Sequence, residues 1–283
     1  MPRPLVTHVS DTARWVAARR AAESTRPDAL FRDPLAARLA GDRGREIAAG
    51  AAKVMGDDWF LVTRTRMIDD QVAAAVAAGC ELVLNLGAGL DTRPYRMMLP
   101  DNLIWVEADL PGLVDEKNAL LADETPRCRM TRAAVDLTDH TAVAALLDAT
   151  LAGAEQALVL TEGLVMYLSE PDVLALATAF ERPEIAGWCL DFSAAGVARL
   201  MAERKVGLLR QSPLKFLPHN GIAFFEDHGW QVAYLESIHT AADRLGRMSS
   251  PHLRAALDGP QPDPRAPGSW PYSAVTRLVP ARN

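Results

Sequence analysis

Short apolar runs, each bounded by glycine, proline or charge, recur along the chain at 82–86 (Leu-Val-Leu-Asn-Leu), 103–108, 157–161 and 186–192. They are nearly continuous rather than alternating, the pattern of parallel strands covered on both faces. A weaker run, Arg129 to Val135, lies between the second and third. Helical spacing fills the intervals at Leu113 to Ala122, Thr141 to Ala152 and Asp172 to Phe180, the last opened by Ser169 as N-cap with Pro171 in the first turn. A helix over Thr63 to Ala78 precedes the first strand and carries Arg64 near its N-terminal end, and the first 60 residues hold further helical pieces. After 192 the pattern gives a helix over Ala194 to Arg210, a strand from Trp230, a Pro- and Gly-dense loop over Gly259 to Pro271, and a last strand over Ser273 to Val279, placed as an antiparallel neighbour. Strands and helices alternating in this way predict an α/β fold: a doubly wound, mainly parallel seven-stranded sheet.

The first strand runs straight into Gly87-Ala88-Gly89-Leu90-Asp91-Thr92. Gly87 and Gly89 have no Cβ and can take positive φ, so the loop backbone can lie against a bound cofactor. A pyrophosphate fingerprint would carry a third glycine where Thr92 stands. Asp91 beside the helix start would repel a diphosphate but suits a cationic or hydroxyl-rich ligand. S-adenosylmethionine, with a sulfonium, an ammonium and a ribose but no phosphate, fits both features.

Composition narrows the classes. The 283 residues are 49% hydrophobic and 23% charged with formal net charge −6, enough for a single domain over 1–283 with a buried core. No apolar run approaches a membrane span of roughly 18 residues, and basic residues are interspersed with acids, so neither a membrane nor a nucleic acid is an expected partner. Cys80, Cys128 and Cys189 are far apart and the N-terminus lacks a secretory apolar core, which point to buried thiols and a cytoplasmic location. The six histidines have no HxxxH or HxH spacing, so no metal site is expected. The oligomeric state is left open.

In a doubly wound sheet the ligand lies beyond the carboxyl ends of the strands. The second strand ends in Glu107-Ala-Asp109, about 20 residues after the glycine loop, where an acid can accept both ribose hydroxyls. Asp109 is favoured, but period-two geometry puts Glu107 on the same side and leaves both open. Asp136 after the weak strand can accept an adenine amine while Leu137 packs on the ring, or can serve as a helix N-cap. Glu162 ends the next strand in apolar company and needs a cation, from ligand or arginine.

Four motifs in order, Arg64-Thr-Arg66, Asn85-Leu-Gly-Ala-Gly-Leu-Asp-Thr-Arg-Pro-Tyr-Arg96, Glu107-Ala-Asp-Leu-Pro111 and Thr161-Glu-Gly-Leu-Val-Met-Tyr-Leu168, resemble the leucine carboxyl methyltransferase family, which includes bacterial polyketide O-methyltransferases. The resemblance runs from about residue 10 to 240. It implies a class I, Rossmann-like, S-adenosylmethionine-dependent methyltransferase with a helical cap, here 1–60 and about 195–228. It also implies that Arg64 pairs with the methionine carboxylate, Gly87 lies against the cofactor, Asp109 takes the ribose, Asp136 and Leu137 frame the adenine, and Glu162 lies near the methionyl end. A shorter N-terminal match suggests Arg20 as a cofactor or acceptor contact.

Methyl transfer from a sulfonium requires alignment and exclusion of water, and a base only if the acceptor is a hydroxyl rather than a carboxylate. The expected activity is O-methylation of a small-molecule carboxylate or hydroxyl, such as a polyketide or other secondary metabolite. The lack of a motif-linked histidine leans toward a carboxylate. Tyr167 is the candidate catalytic contact to an acceptor oxygen, and His219 and His228 are candidate bases. The region from Met201 to Pro218, with Phe216, Lys205, Arg210 and Lys215, is expected to shape a pocket for an apolar acid. An NAD-dependent oxidoreductase and a non-catalytic cofactor-binding module share the sheet. NADH titration would separate the first, and cofactor binding without any methylation would favour the second.

Overall fold

A computed structural model describes residues 9–55, 59–203, 213–248 and 250–281. Its single sheet holds β1 (Leu82–Leu86), β2 (Ile104–Asp109), β3 (Arg129–Ala134), β4 (Ala157–Thr161), β5 (Ile185–Ser193), β6 (Trp230–Ser237) and β7 (Ser273–Pro280) in the spatial order β3-β2-β1-β4-β5-β7-β6. The first five strands are parallel, and β7 runs antiparallel to both β5 and β6. The last strand is therefore the antiparallel neighbour its sequence suggested, but it inserts between β5 and β6 and leaves β6 at the edge. From β1 the chain winds outward through β2 and β3, then returns to the other side of β1 for β4 and β5. The switch point lies between β1 and β4.

Period-two alternation assigns each strand residue to a face. Leu82, Leu84 and Leu86 pack into a core with Val143 and Leu147 of α6 (His140–Leu151) and Val173 and Leu176 of α7 (Glu170–Ala179). Trp188 joins that core with Phe180, Phe225 and Trp230 in edge-to-face contact, geometry that adds about 0.5–1.5 kcal/mol per pair beyond area burial. Val83, Trp105 and Leu158 face the opposite way, against Met67, Ile68 and Val72 of α3 (Trp59–Ala77). The sheet is thus filled on both sides, as its unbroken apolar runs require.

A third cluster joins α1 (Val9–Ser24) and α2 (Ala36–Met55, kinked at Gly41) through Trp15, Leu39 and Ile47 to Leu90 of the glycine loop and Leu113 of α5 (Pro111–Leu120). Short helices α4 (Arg93–Arg96), α9 (Ala223–Glu226), α10 (Ile238–Arg244) and α11 (Pro251–Ala255) and a 3-10 turn over Val165–Tyr167 complete the described elements with α8 (Gly196–Glu203). The helix expected over Ala194 to Arg210 is seen as α8, and Lys205 and Arg210 lie outside the described residues. Ser169 caps α7 as expected, and Asp172 returns the bond to the Ser169 N–H, closing a reciprocal cap. Cys80, Cys128 and Cys189 are buried thiols.

Candidate active site

A cavity of about 570 Å³ opens beyond the carboxyl ends of β1, β2, β4 and β5, within the roughly 300–1,000 Å³ of small-ligand sites. Its walls hold most of the residues singled out from the sequence: Arg20, Arg64, Gly87, Ala88, Gly89, Asp91, Asp109, Glu162 and Tyr167. Asp136 and Leu137 stand apart from this lining. Asp136 is exposed and accepts bonds from the Thr138 N–H and hydroxyl, while Leu137 is buried in the main core. The cap of α6 is supplied by Asp139, which accepts from the Thr141 and Ala142 N–H groups.

The glycine loop is held by both neighbouring strand ends. Gly87 sits at φ 67°, and a Cβ there would come within 2.9 Å of Leu164 Cδ1. Gly89 sits at φ 49° and donates its N–H to Asp109 Oδ2 at 2.7 Å, while Leu110 N–H donates to Asp109 Oδ1 at 2.7 Å. Burial pushes the Asp109 carboxyl above its ordinary range against those two bonds. Glu107 takes a different role. Only 2% exposed, it lies 2.8 Å from both Lys117 Nζ and Arg132 Nε, an internal ion cluster away from the cavity.

Behind the loop runs a chain of buried ion pairs. Arg93, only 1% exposed, reaches Asp69 at 2.7 Å, Asp91 at 2.5 Å and Glu162 at 2.8 Å. Arg64 donates Nε to Glu162 Oε1 at 3.0 Å and Nη1 to Asp191 Oδ2 at 3.1 Å, and Gly163 N–H donates to Asp191 Oδ1 at 2.6 Å. Arg96 holds Asp69, and Arg20 holds Asp33 and the Leu90 carbonyl. Burial raises the Glu162 carboxyl, but Arg93 and Arg64 outweigh it and hold it below the usual range. Asp91 is likewise held far down, mainly by Arg93 against burial, with Asn85 Nδ2 donating to it at 2.9 Å. Its charge is matched within the protein, so aversion to phosphate rests more on Asp109 and on Thr92 than on Asp91. The arginine partner that Glu162 required is Arg93 together with Arg64.

Burial raises the Asp191 carboxyl, with Arg64 opposing. A lone acid in the apolar run Cys-Leu-Asp-Phe is the one sequence signal for Asp191, and Arg93 stands within the Asn85 to Arg96 motif, which by itself gives it no role. His239, also on the cavity wall, had no motif to mark it. His219 and His228 are exposed and off the wall, with His228 Nδ1 2.6 Å from the Phe224 carbonyl. Tyr167 is placed on the wall by the 3-10 turn after β4, and burial raises its hydroxyl above the ordinary value.

The profile of the leucine carboxyl methyltransferase family matches residues 13–181. The chain belongs to that family. A protein of Parafrankia sp. (strain EAN1pec), provisionally named an S-adenosyl-L-methionine-dependent methyltransferase, is 32% identical over 83% of this chain and 81% of its own. A Streptomyces coelicolor protein with the same provisional name is 31% identical over 88% of this chain and 92% of its own. Among solved structures, a DUF574 family protein from Streptomyces avermitilis superposes with a TM-score of 0.59, at 16% identity over 95% of this chain and 97% of that one. A protein of Thermobifida fusca provisionally titled a methyltransferase gives 0.60, at 16% identity over 98% and 96%. At that identity they speak for the fold. The protein is an S-adenosylmethionine-dependent methyltransferase with a Rossmann-like sheet, and no described helix is long and apolar enough to cross a membrane.

Proposed function

We propose that the chain O-methylates a small molecule, with the cofactor seated across the switch point between Asp109 and Arg64. The juxtaposition of these two groups in one cavity carries the reading. Asp109 offers carboxylate lone pairs to ribose hydroxyls, its orientation set by the Gly89 and Leu110 N–H groups. Arg64 binds Glu162 through Nε and Asp191 through Nη1, which leaves Nη2 as the guanidinium nitrogen to offer a ligand. It suits the cofactor's carboxylate, and the acids that hold Arg64 suit its ammonium and sulfonium. Asp136 and Leu137 remain the proposed adenine contacts, reached past the end of β3.

The bound cofactor supplies a methyl carbon activated by positive sulfur. The protein aligns the acceptor, excludes water and, for a hydroxyl, removes a proton. Residues of α1 and α8 on the wall, among them Ala13, Val16, Val197 and Leu200, would act as the cap. Tyr167 would donate to or accept from the acceptor oxygen.

Isothermal titration with S-adenosylmethionine, with NADH as comparison, tests the site. Mass detection of methyl products across carboxylic and hydroxyl acceptors tests the reaction. Binding of the first ligand and not the second is expected; absence of binding would overturn the seating, and transfer to nitrogen or carbon alone would overturn the O-methyl reading.

A further inference from the structure

The cavity extends past the proposed cofactor seat into walls contributed by α3, α8, α10 and the loop before β7, with Trp59, Phe60, Leu200, Ile238, Trp270 and Tyr272 among their residues. Four of these six are aromatic. Among the described residues every guanidinium on the cavity wall is engaged with the protein's own carboxylates: Arg20 with Asp33, Arg64 with Glu162 and Asp191, Arg93 with Asp69, Asp91 and Glu162, and Arg96 with Asp69. The remaining Nη2 of Arg64 is assigned to the cofactor. An acceptor carboxylate entering this space would lose its water and meet no unengaged guanidinium on the wall among the described residues, only the cofactor's sulfonium, a costly burial of charge. A neutral hydroxyl carries no such penalty and needs a proton acceptor instead.

His239 meets that need. Of the five described histidines it alone lines the cavity. Its Nε2 lies 2.8 Å from the Leu253 carbonyl, which can only accept, so Nε2 carries the hydrogen and Nδ1 of the neutral ring keeps its lone pair. The ring packs on Trp59 with centroids 5.9 Å apart, and Ser237 Oγ accepts from the His239 N–H at 3.2 Å, so both ring and backbone are held. Among the charged and titratable groups on the packed elements, Asp70 is engaged with Arg66, Tyr234 and Arg244 with Glu236, and Arg254 with Asp243, while β7 adds Arg277, whose Nε is buried without a hydrogen-bond partner among the described residues, and α11 adds the exposed His252.

We propose that the acceptor is an aromatic-bodied molecule bearing a neutral hydroxyl and that His239 is its catalytic base. This rests on the methyl-transfer reading above. His239 Nδ1 takes the hydroxyl proton as the oxygen pair forms the new bond to the methyl carbon, the sulfur keeps the pair of the broken C–S bond, and the imidazolium returns its proton to solvent.

The test uses two probes with one bicyclic body, 2-naphthol and 2-naphthoic acid, on the full chain. In protein labelled with 15N-histidine and saturated with S-adenosylhomocysteine, 2-naphthol is expected to shift the His239 Nδ1 resonance and 2-naphthoate to leave it in place. With S-adenosylmethionine, transfer to 2-naphthol near pH 7 is expected to fall about 10²–10⁴-fold in His239→Gln, which keeps a donor for Leu253. The deficit should narrow as the pH nears roughly 10, where a phenol ionises unaided. His239→Asn should behave as His239→Gln does, and unchanged cofactor affinity in both variants shows that they are folded. Preferential transfer to the acid, an unchanged rate in both variants, or no shift and no transfer with 2-naphthol while the cofactor binds overturns the proposal. Failure of wild type to bind S-adenosylmethionine would instead sink the reading beneath it.

Discussion

Arg93 Nη2 lies 2.8 Å from Glu162 Oε2, tying the helix after the glycine loop to the end of β4 across the switch point. The same guanidinium holds Asp91 and Asp69, so one cation sits among three carboxylates. Replacing it by Met leaves buried acids short of a partner, and removing one member of such a cluster costs about 3–5 kcal/mol. The expected loss has a definite pH dependence. In the wild type, Asp91 and Glu162 are held below their ordinary values, so they contribute stability above pH about 4 that fades as the pH falls through the folded values. In Arg93→Met, burial without that guanidinium pushes the same carboxyls up, and protonation then relieves the folded state. Urea midpoints measured from pH 7 toward 4 should show the variant's deficit narrowing. A deficit that stays constant or widens toward acid would refute this assignment of the stabilising charge.

Glu107 and Asp109 are two residues apart on β2 and do different work. For Asp109→Asn, lost charge-assisted bonds of about 1.5–3 kcal/mol translate to roughly 10- to 150-fold weaker binding of S-adenosylmethionine and S-adenosylhomocysteine. Glu107→Gln removes the charge facing buried Lys117 and Arg132, so it should lower the melting temperature while leaving cofactor affinity near wild type. Equal affinity losses in the two variants, read by titration calorimetry, would argue against placing the ribose at Asp109.

This pair shows where sequence stops. Residues alternating along β2 put both acids on one side, and the difference between them came from Lys117 on α5 and Arg132 on β3, partners that only the assembled sheet brings near. β1, β2, β4 and β5 were legible because burial on both faces leaves no room for polar alternation, whereas β3, half-buried at the sheet edge, gave only a weak run. The glycine loop was legible because positive φ and the nearby Leu164 restrict Gly87. Arg93, Asp191 and His239 were not legible as wall residues: two are held by pairings nearly 70 or more residues apart in sequence, and the third by a carbonyl on another helix. The insertion of β7 between β5 and β6 was hidden for a similar reason, since an apolar strand reads alike at an edge and in the interior.

Gly87 separates two steric demands. Alanine there meets the φ of 67°, worth about 1–2 kcal/mol for an L-residue, and also the Leu164 side chain at 2.9 Å. Gly87→Ala should lower stability and weaken cofactor binding, because the loop backbone must shift. Adding Leu164→Ala should return the part due to contact and none of the part due to φ. Complete rescue in the double variant, by chemical denaturation, would show that the backbone conformation carries no strain.

Gly196 at the start of α8 controls the opposite wall. A Cβ there would lie 2.1 Å from the Trp270 carbonyl oxygen and 2.6 Å from that of Ser269, backbone atoms that cannot rotate aside. Gly196→Ala therefore has to displace α8 or the loop before β7, both of which line the cavity away from Asp109. Overpacking of this kind costs about 1–3 kcal/mol. The functional consequence should be selective: S-adenosylmethionine affinity near wild type, a raised KM for the acceptor, and faster protease cleavage between residues 259 and 271. Gly259→Ala supplies the comparison, since its Cβ would meet nothing nearer than the Ala256 carbonyl oxygen at 3.7 Å, and it should leave KM unchanged. If Gly196→Ala weakens cofactor and acceptor binding equally, the two ends of the cavity are not independent, and the division of its walls between an adenosyl seat and an acceptor seat is wrong.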